Sequence, residues 1–169
     1  MSDHQEERHG SCFCGNVSLT VRGPPMAVSI CHCTTCQQLL GAPFGIQSMH
    51  SASAVECATP REELWSLETS KMVTRYRCPQ CASPVYATLR NGKLIVIPRS
   101  MLFQTKTIAA DSDIDKNDDA FKPTHHMYYA SRIMNVDDDL PKYVGTSQPG
   151  RGVLWTPDEA AEGEATPQT

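Results

Sequence analysis

Apolar residues in this chain recur mostly at every second position, over short runs separated by turn residues. Val17, Leu19 and Val21 alternate with Ser18 and Thr20, the pattern of a half-buried strand. Arg22-Gly23-Pro24-Pro25 closes that run with turn chemistry. A short apolar segment, Met26 to Ile30, follows, and Phe44, Ile46 and Ser48 alternate again. Leu64–Leu67, Met72–Arg77, Val85–Leu89 and Leu94–Ile97 read as further strands. Asn91-Gly92 lies between the last two and accepts the positive φ angles of a tight hairpin turn, with Arg90 and Lys93 extending the strands or lengthening the loop. His126–Tyr129 reads as a returning strand. The pattern predicts a mainly β fold with short strands and metal-bearing turns.

Length and composition narrow this picture. A chain of 169 residues with 40% hydrophobic content fits one domain with a modest core. Residues 1–9 are polar and read as a disordered lead-in, 10–150 as the folded domain and 151–169 as a tail, Glu/Ala/Pro/Thr-rich from Thr156. The N-terminus lacks the apolar stretch of a signal peptide, and the strongest apolar run, Leu94–Ile97, is far too short to span a membrane. The expected location is therefore the cytoplasm, where thiols stay reduced and clustered cysteines read as metal ligands before disulfides. A net charge of −4 argues against a general nucleic-acid binder, which needs a basic surface.

The chemistry lies in the cysteines. Seven of the eight fall into chelating clusters: Cys12-x-Cys14, Cys31-x-Cys33-x-x-Cys36 and Cys78-x-x-Cys81. Two pairs complete one four-sulfur shell, the pattern of a structural zinc. The trio leaves one coordination position open, the pattern of a zinc that can take water or substrate. The other partition, trio plus one member of a pair, strands the remaining member. Gly15 would permit the bend that a C-x-C pair needs. Three thiolates weaken zinc as a Lewis acid, so an exogenous thiol suits the open position better than a hard oxygen ligand. Completion of the trio by Cys57 or a histidine would instead make it structural. Two zinc ions per chain are expected.

The other candidates carry less. Cys57 has no chelating neighbour and reads as a small hydrophobe. His32, between two proposed ligands, reads as solvent-facing or as support for them. Of His125 and His126, neighbours on a strand, at most one can face a site. His4 and His9 fall in the lead-in, and His50 has no partner in sequence. Asp111, Asp113 and Asp115 match the start of a calcium-hand loop, but Lys116 and Lys122 stand where glycine and glutamate belong. Residues 111–119 and the Asp137-Asp138-Asp139 run therefore read as solvated charge.

Three ordered motifs carry a resemblance: Gly10-Ser11-Cys12-Phe13-Cys14-Gly15-Asn16-Val17, then Cys31-His32-Cys33-Thr34-Thr35-Cys36-Gln37 with Gly41-Ala42-Pro43-Phe44, then Arg77-Cys78-Pro79-Gln80-Cys81-Ala82-Ser83-Pro84. His126-Met127-Tyr128 followed by Leu140-Pro141-Lys142-Tyr143 is a weaker match. In these the chain resembles the glutathione-dependent formaldehyde-activating and centromere-protein-V-like family. The resemblance implies a β-tent fold, a structural zinc on Cys12, Cys14, Cys78 and Cys81, and a second zinc on Cys31, Cys33 and Cys36. It also implies a carbon–sulfur lyase that joins formaldehyde to the thiol of glutathione. Pro98–Leu102 and Ser131–Met134 depart from the family pattern, and Ala82 replaces a common glycine.

The function expected is thus a zinc-dependent carbon–sulfur lyase-like enzyme handling a thiol adduct, with the Cys31/Cys33/Cys36 metal reactive. Arg99 is a candidate for holding a substrate carboxylate. The alternative is a non-catalytic zinc module that binds a protein or small thiol.

Overall fold

A computed structural model describes residues 7–102, 119–146 and 152–156. Ten strands and two short α-helices follow in chain order. They are β1 (Glu7–Ser11), β2 (Ser18–Arg22), β3 (Ala27–Cys31), α1 (Thr34–Leu40), β4 (Gly45–Ser51) and β5 (Val55–Cys57). After them come β6 (Trp65–Ser70), β7 (Val73–Arg77), β8 (Pro84–Leu89), β9 (Leu94–Pro98), α2 (Arg99–Leu102) and β10 (His125–Met127). The fold is mainly β, as the alternation predicts. The described chain divides into two compact units, one of residues 7–28, 47–102 and 119–122, the other of 29–46, 123–146 and 152–156.

The first unit holds two sets of antiparallel strands, β1-β2-β5 and β4-β9-β8-β7-β6. Val17, Leu19 and Val21 are buried, with Val85, Ile95 and Ile97 from β8 and β9 in the same core. Strand period makes this possible, because residues two apart share a face. Tyr76 and Tyr86 stack at 4.8 Å between neighbouring strands. The β8–β9 turn differs from a two-residue Asn-Gly hairpin. Leu89 pairs with Leu94, and Arg90, Asn91 and Gly92 all adopt positive φ. Gly92 N–H donates to the Leu89 carbonyl at 3.1 Å, so the turn centres on Arg90-Asn91 and the flanking residues lengthen the loop.

Glu7, Arg8 and His9, polar enough to read as lead-in, pair with Arg22, Val21 and Thr20. Arg22 bridges Glu7 and Glu56 at 2.9 Å each, tying β1 and β5 to β2. Gly10 sits so close to the Met101 carbonyl that a Cβ there would overlap it. Gly10→Ala is therefore expected to destabilise the protein by about 2 kcal/mol, measured by urea unfolding.

The second unit is built differently. β10 pairs with β3 in parallel, His126 opposite Ile30 and Met127 opposite Cys31. Helix α1 starts at Cys33, whose sulfur accepts from Cys36 N–H, and stops at Gly41 in the left-handed region. Among its described residues, Ile30 and Tyr129 are the only large apolar side chains in the buried class; Cys31, Cys36, His32, His126 and the small Ser29 and Gly45 supply the rest of the interior.

His50 of β4 is buried in the first unit, 1% exposed. Its Nε2 bonds Ser48 Oγ at 2.9 Å and its Nδ1 has no partner. Burial lowers its pKa from 6.5 to about 4. The unfolded chain then takes up a proton below pH 6.5 that the folded chain refuses until about pH 4. The stabilisation is complete above pH 6.5 and declines as pH falls, by at most about 3 kcal/mol. Urea unfolding at pH 7 and pH 4.5 should show a smaller acid-induced loss in His50→Gln than in the unaltered protein.

Candidate metal centres

The first centre is assembled by two turns of the first unit. The Cys12–Gly15 turn is closed by Gly15 N–H on the Cys12 carbonyl at 2.9 Å, with Gly15 at φ 81°, the bend that the sequence calls for. The Cys78–Ala82 turn is closed by Ala82 N–H on the Cys78 carbonyl, also 2.9 Å. These turns bring the sulfurs of Cys12, Cys14, Cys78 and Cys81 within 4.8 Å of one another. Cys14 Sγ lies 3.5 Å from Cys12 Sγ and 3.7 Å from Cys78 Sγ. Tetrahedral bonds of 2.3 Å would put sulfurs about 3.8 Å apart, so the donor set fits a thiolate-bound ion such as zinc. Val17 N–H donates to Cys12 Sγ at 3.2 Å. The hydroxyl of Ser83 lies 3.3 Å from Cys81 Sγ, a polar contact that no cysteine count could reveal.

The electrostatics carry the same message. Burial pushes the Cys81 thiol up, but hydrogen bonds from Ser83 and Cys14 outweigh it and bring the thiol down to about 5. The Asn16 N–H pulls Cys14 down, yet burial and the three neighbouring sulfurs push it to about 12. One thiolate is favoured, and each further one is opposed by its neighbours unless a cation sits among them.

Ala82 adopts φ 58°, a left-handed conformation that costs an L-residue about 1–2 kcal/mol. Glycine relieves that strain but adds about 0.5–1 kcal/mol of unfolded-chain entropy. Ala82→Gly is therefore expected to stabilise the protein by up to about 1 kcal/mol, read as a higher urea midpoint.

The second centre lies wholly in the second unit. β3 ends on Cys31, Cys33 caps α1 and Cys36 occupies its first turn, which brings the three sulfurs within 4.8 Å. Among the described residues no histidine, carboxylate or further cysteine joins them. Sulfur contacts with Cys33 and Cys36, then burial, raise the Cys31 thiol steeply, so the three become thiolates together only with a cation among them. Cys57 lies apart in β5, paired with Leu19, its thiol raised by burial. None of the eight cysteines forms a disulfide.

Two expectations change around this trio. His32 is 0% exposed, not solvent-facing, because the ring turns inward between Phe44 and Tyr129, with centroids at 5.3 and 5.0 Å. Its Nε2 lies 2.8 Å from His126 Nδ1, while burial, then the charges of His126 and Arg132, lower its pKa to about 4. Asp138 stays solvent-exposed, as its acidic run predicts, but it is also partnered: its carboxylate lies 2.9 and 3.1 Å from His126 Nε2 and 2.8 Å from Lys142 Nζ. Tyr128, which the sequence offered only within the weaker family match, stands at φ 54°, and burial followed by the charges of Cys31, Cys33 and Cys36 raises its phenol. Gln37, one residue after Cys36, donates to the His32 carbonyl at 2.6 Å and the Ser131 carbonyl at 2.8 Å. Of the two adjacent histidines His126 is the inward one, as strand alternation allows.

Arg99 opens α2 in the first unit and is half-buried. The acidic run 111–118 lies outside the described residues; Asp119 starts a 3₁₀ turn and pairs with Lys122 at 2.6 Å. Among the described residues no helix is long and apolar enough to cross a membrane.

The sequence profile of the glutathione-dependent formaldehyde-activating enzymes matches residues 7–131, well over half of the chain, and spans both cysteine centres. The chain belongs to that family. No curated protein matches it. The crystal structure of a Rhodobacter sphaeroides protein aligns with a TM-score of 0.47 and 16% identity, covering 63% of this chain and 93% of that one. This member of the formaldehyde-activating family keeps both cysteine clusters in forms that could hold metal ions.

Proposed function

We propose that this family member is a zinc-dependent carbon–sulfur lyase that joins a small thiol, glutathione in the first instance, to an aldehyde such as formaldehyde. The observation that carries this reading is the three-sulfur cluster of Cys31, Cys33 and Cys36 with no fourth donor among the described residues. Cys12, Cys14, Cys78 and Cys81 would hold a structural zinc, and the trio a second. A zinc ion there would supply an open coordination position and a positive charge that favours the thiolate form of the substrate at neutral pH.

In the reaction the thiol sulfur bonds to the carbonyl carbon, the C=O π bond opens onto oxygen, and the thiol proton ends on that oxygen. The product is a hydroxymethyl thioether, and the reverse is a carbon–sulfur cleavage. The chain's part is to place the reactants and exclude water. Buried Cys31 and Cys36 make the floor of the trio, and the Tyr128 phenol, kept protonated by burial and sulfur charge, is available as a hydrogen-bond donor. Arg99 is the proposed partner of a substrate carboxylate, since guanidinium pairs with carboxylates through two parallel bonds. Eight cysteines outside any disulfide suit a reducing compartment, and we assign the protein to the cytoplasm.

Metal content and thiol response test this reading together. Purified protein is expected to carry two zinc ions. Cys33→Ser should lose one of them and with it the formation of S-hydroxymethylglutathione above the uncatalysed rate, monitored by NMR. Glutathione should alter the chelator-release rate of that zinc alone. A single zinc, or two equally inert ions indifferent to every small thiol, would refute the enzyme and favour a non-catalytic module.

A further inference from the structure

We propose that His126 and Asp138 are positioning residues of the Cys31/Cys33/Cys36 centre, acting on it through the ring of His32. The inference rests on the reading of that trio as a metal centre.

His32 stands between two of the trio's cysteines, so whatever fixes His32 fixes the backbone that presents their sulfurs. Its ring is held first. An ionised Asp138 carboxylate offers only lone pairs, so the His126 Nε2 facing it carries a proton. One proton then lies between His126 Nδ1 and His32 Nε2, at 2.8 Å. Both imidazoles are 0% exposed, so rotating either ring would strand a buried polar group without water. Asp138 is held in turn by Lys142, whose Nζ lies 2.8 Å from Oδ1 and 2.8 Å from the Asp138 carbonyl. The segment bearing Lys142 is laced to β10: His126 N–H donates to the Pro141 carbonyl at 2.9 Å, and Tyr143 N–H to the His126 carbonyl at 3.0 Å.

The backbone of His32 is held as well. Its N–H donates to the Met127 carbonyl at 2.9 Å and its carbonyl accepts from Gln37 at 2.6 Å. Ring and main chain are thus anchored at once. Filling space alone would not call for this chain, because buried ionic groups are commonly replaced by apolar ones at no loss of stability. Directed bonds differ from packing in fixing an orientation, and partners of that kind around metal centres typically change affinity by about 10–100-fold.

The discriminating variant is His126→Phe, which keeps an aromatic ring against Tyr129 but cannot hold His32. His126→Gln is the rescue, since its amide can accept from His32 and donate to Asp138. Each full-length protein is loaded with Zn²⁺ and the two ions are followed as they pass to a chelator. In His126→Phe the trio's ion is expected to leave at least about 10-fold faster than in the unaltered protein, and in His126→Gln the rate should return toward it. The ion of the four-sulfur centre should leave at an unchanged rate and so report an intact fold. With Co²⁺ as probe, the visible d–d band of the trio should shift in His126→Phe and recover in His126→Gln. Unchanged release and spectrum in His126→Phe overturn the positioning role. Should that variant not fold, Asp138→Ala is read by the same criteria. Absence of a second ion from the unaltered protein would overturn the metal reading, and this inference with it; a second ion that leaves His126→Phe no faster than it leaves the unaltered protein would overturn this inference alone.

Discussion

Sulfur atoms within 4.8 Å of one another resist carrying negative charge together, and two groups of cysteines stand at that spacing. Left to themselves most of them keep their protons; with a cation among them all can be thiolates, and the same crowding becomes attraction. In the first unit this matters at one end of an apolar core that already includes Val17, Leu19, Val85 and Ile97. In the second unit it matters more, because cysteine and histidine fill most of an interior that Ile30 and Tyr129 alone would not. Binding energy at such a site is folding energy, since the unfolded chain presents no comparable site.

The two centres differ in how they are closed. Cys12, Cys14, Cys78 and Cys81 surround a point from two turns, each shaped by a left-handed residue, Gly15 and Ala82. Four sulfurs leave no place for another ligand. Cys31, Cys33 and Cys36 come from one strand end and one helix start, and the side opposite them has no protein donor among the described residues. The same unit holds a buried imidazole pair, a phenol raised by burial and the trio's charge, and a carboxylate braced by lysine.

Much of this was legible in the chain. Strand alternation located β2, β4 and β6 to β9 to within a few residues, because one face of each is buried and the period of two is visible. It missed β1, whose polar residues are held by pairing with β2 and by the Gly10 contact with Met101. It missed α1, too short to show a helical period and set instead by a sulfur cap and Gly41. The cysteine arithmetic put together the same sulfurs that the fold gathers within 4.8 Å, since short spacing makes the neighbours and the count of four and three makes the groups.

Sequence by itself determined the local facts: which residues alternate, which cysteines can chelate as neighbours, and which family the ordered motifs belong to. Only the tertiary structure decided the non-local ones. Cys14 meets Cys78 across 64 positions, and His32 meets His126 across 94. Asp138 looked like part of a solvated acidic run because a charge shows no sign, in sequence, of the partner that will face it. Pairings of that kind are set by chain closure and burial, and neither leaves a periodic mark along the chain.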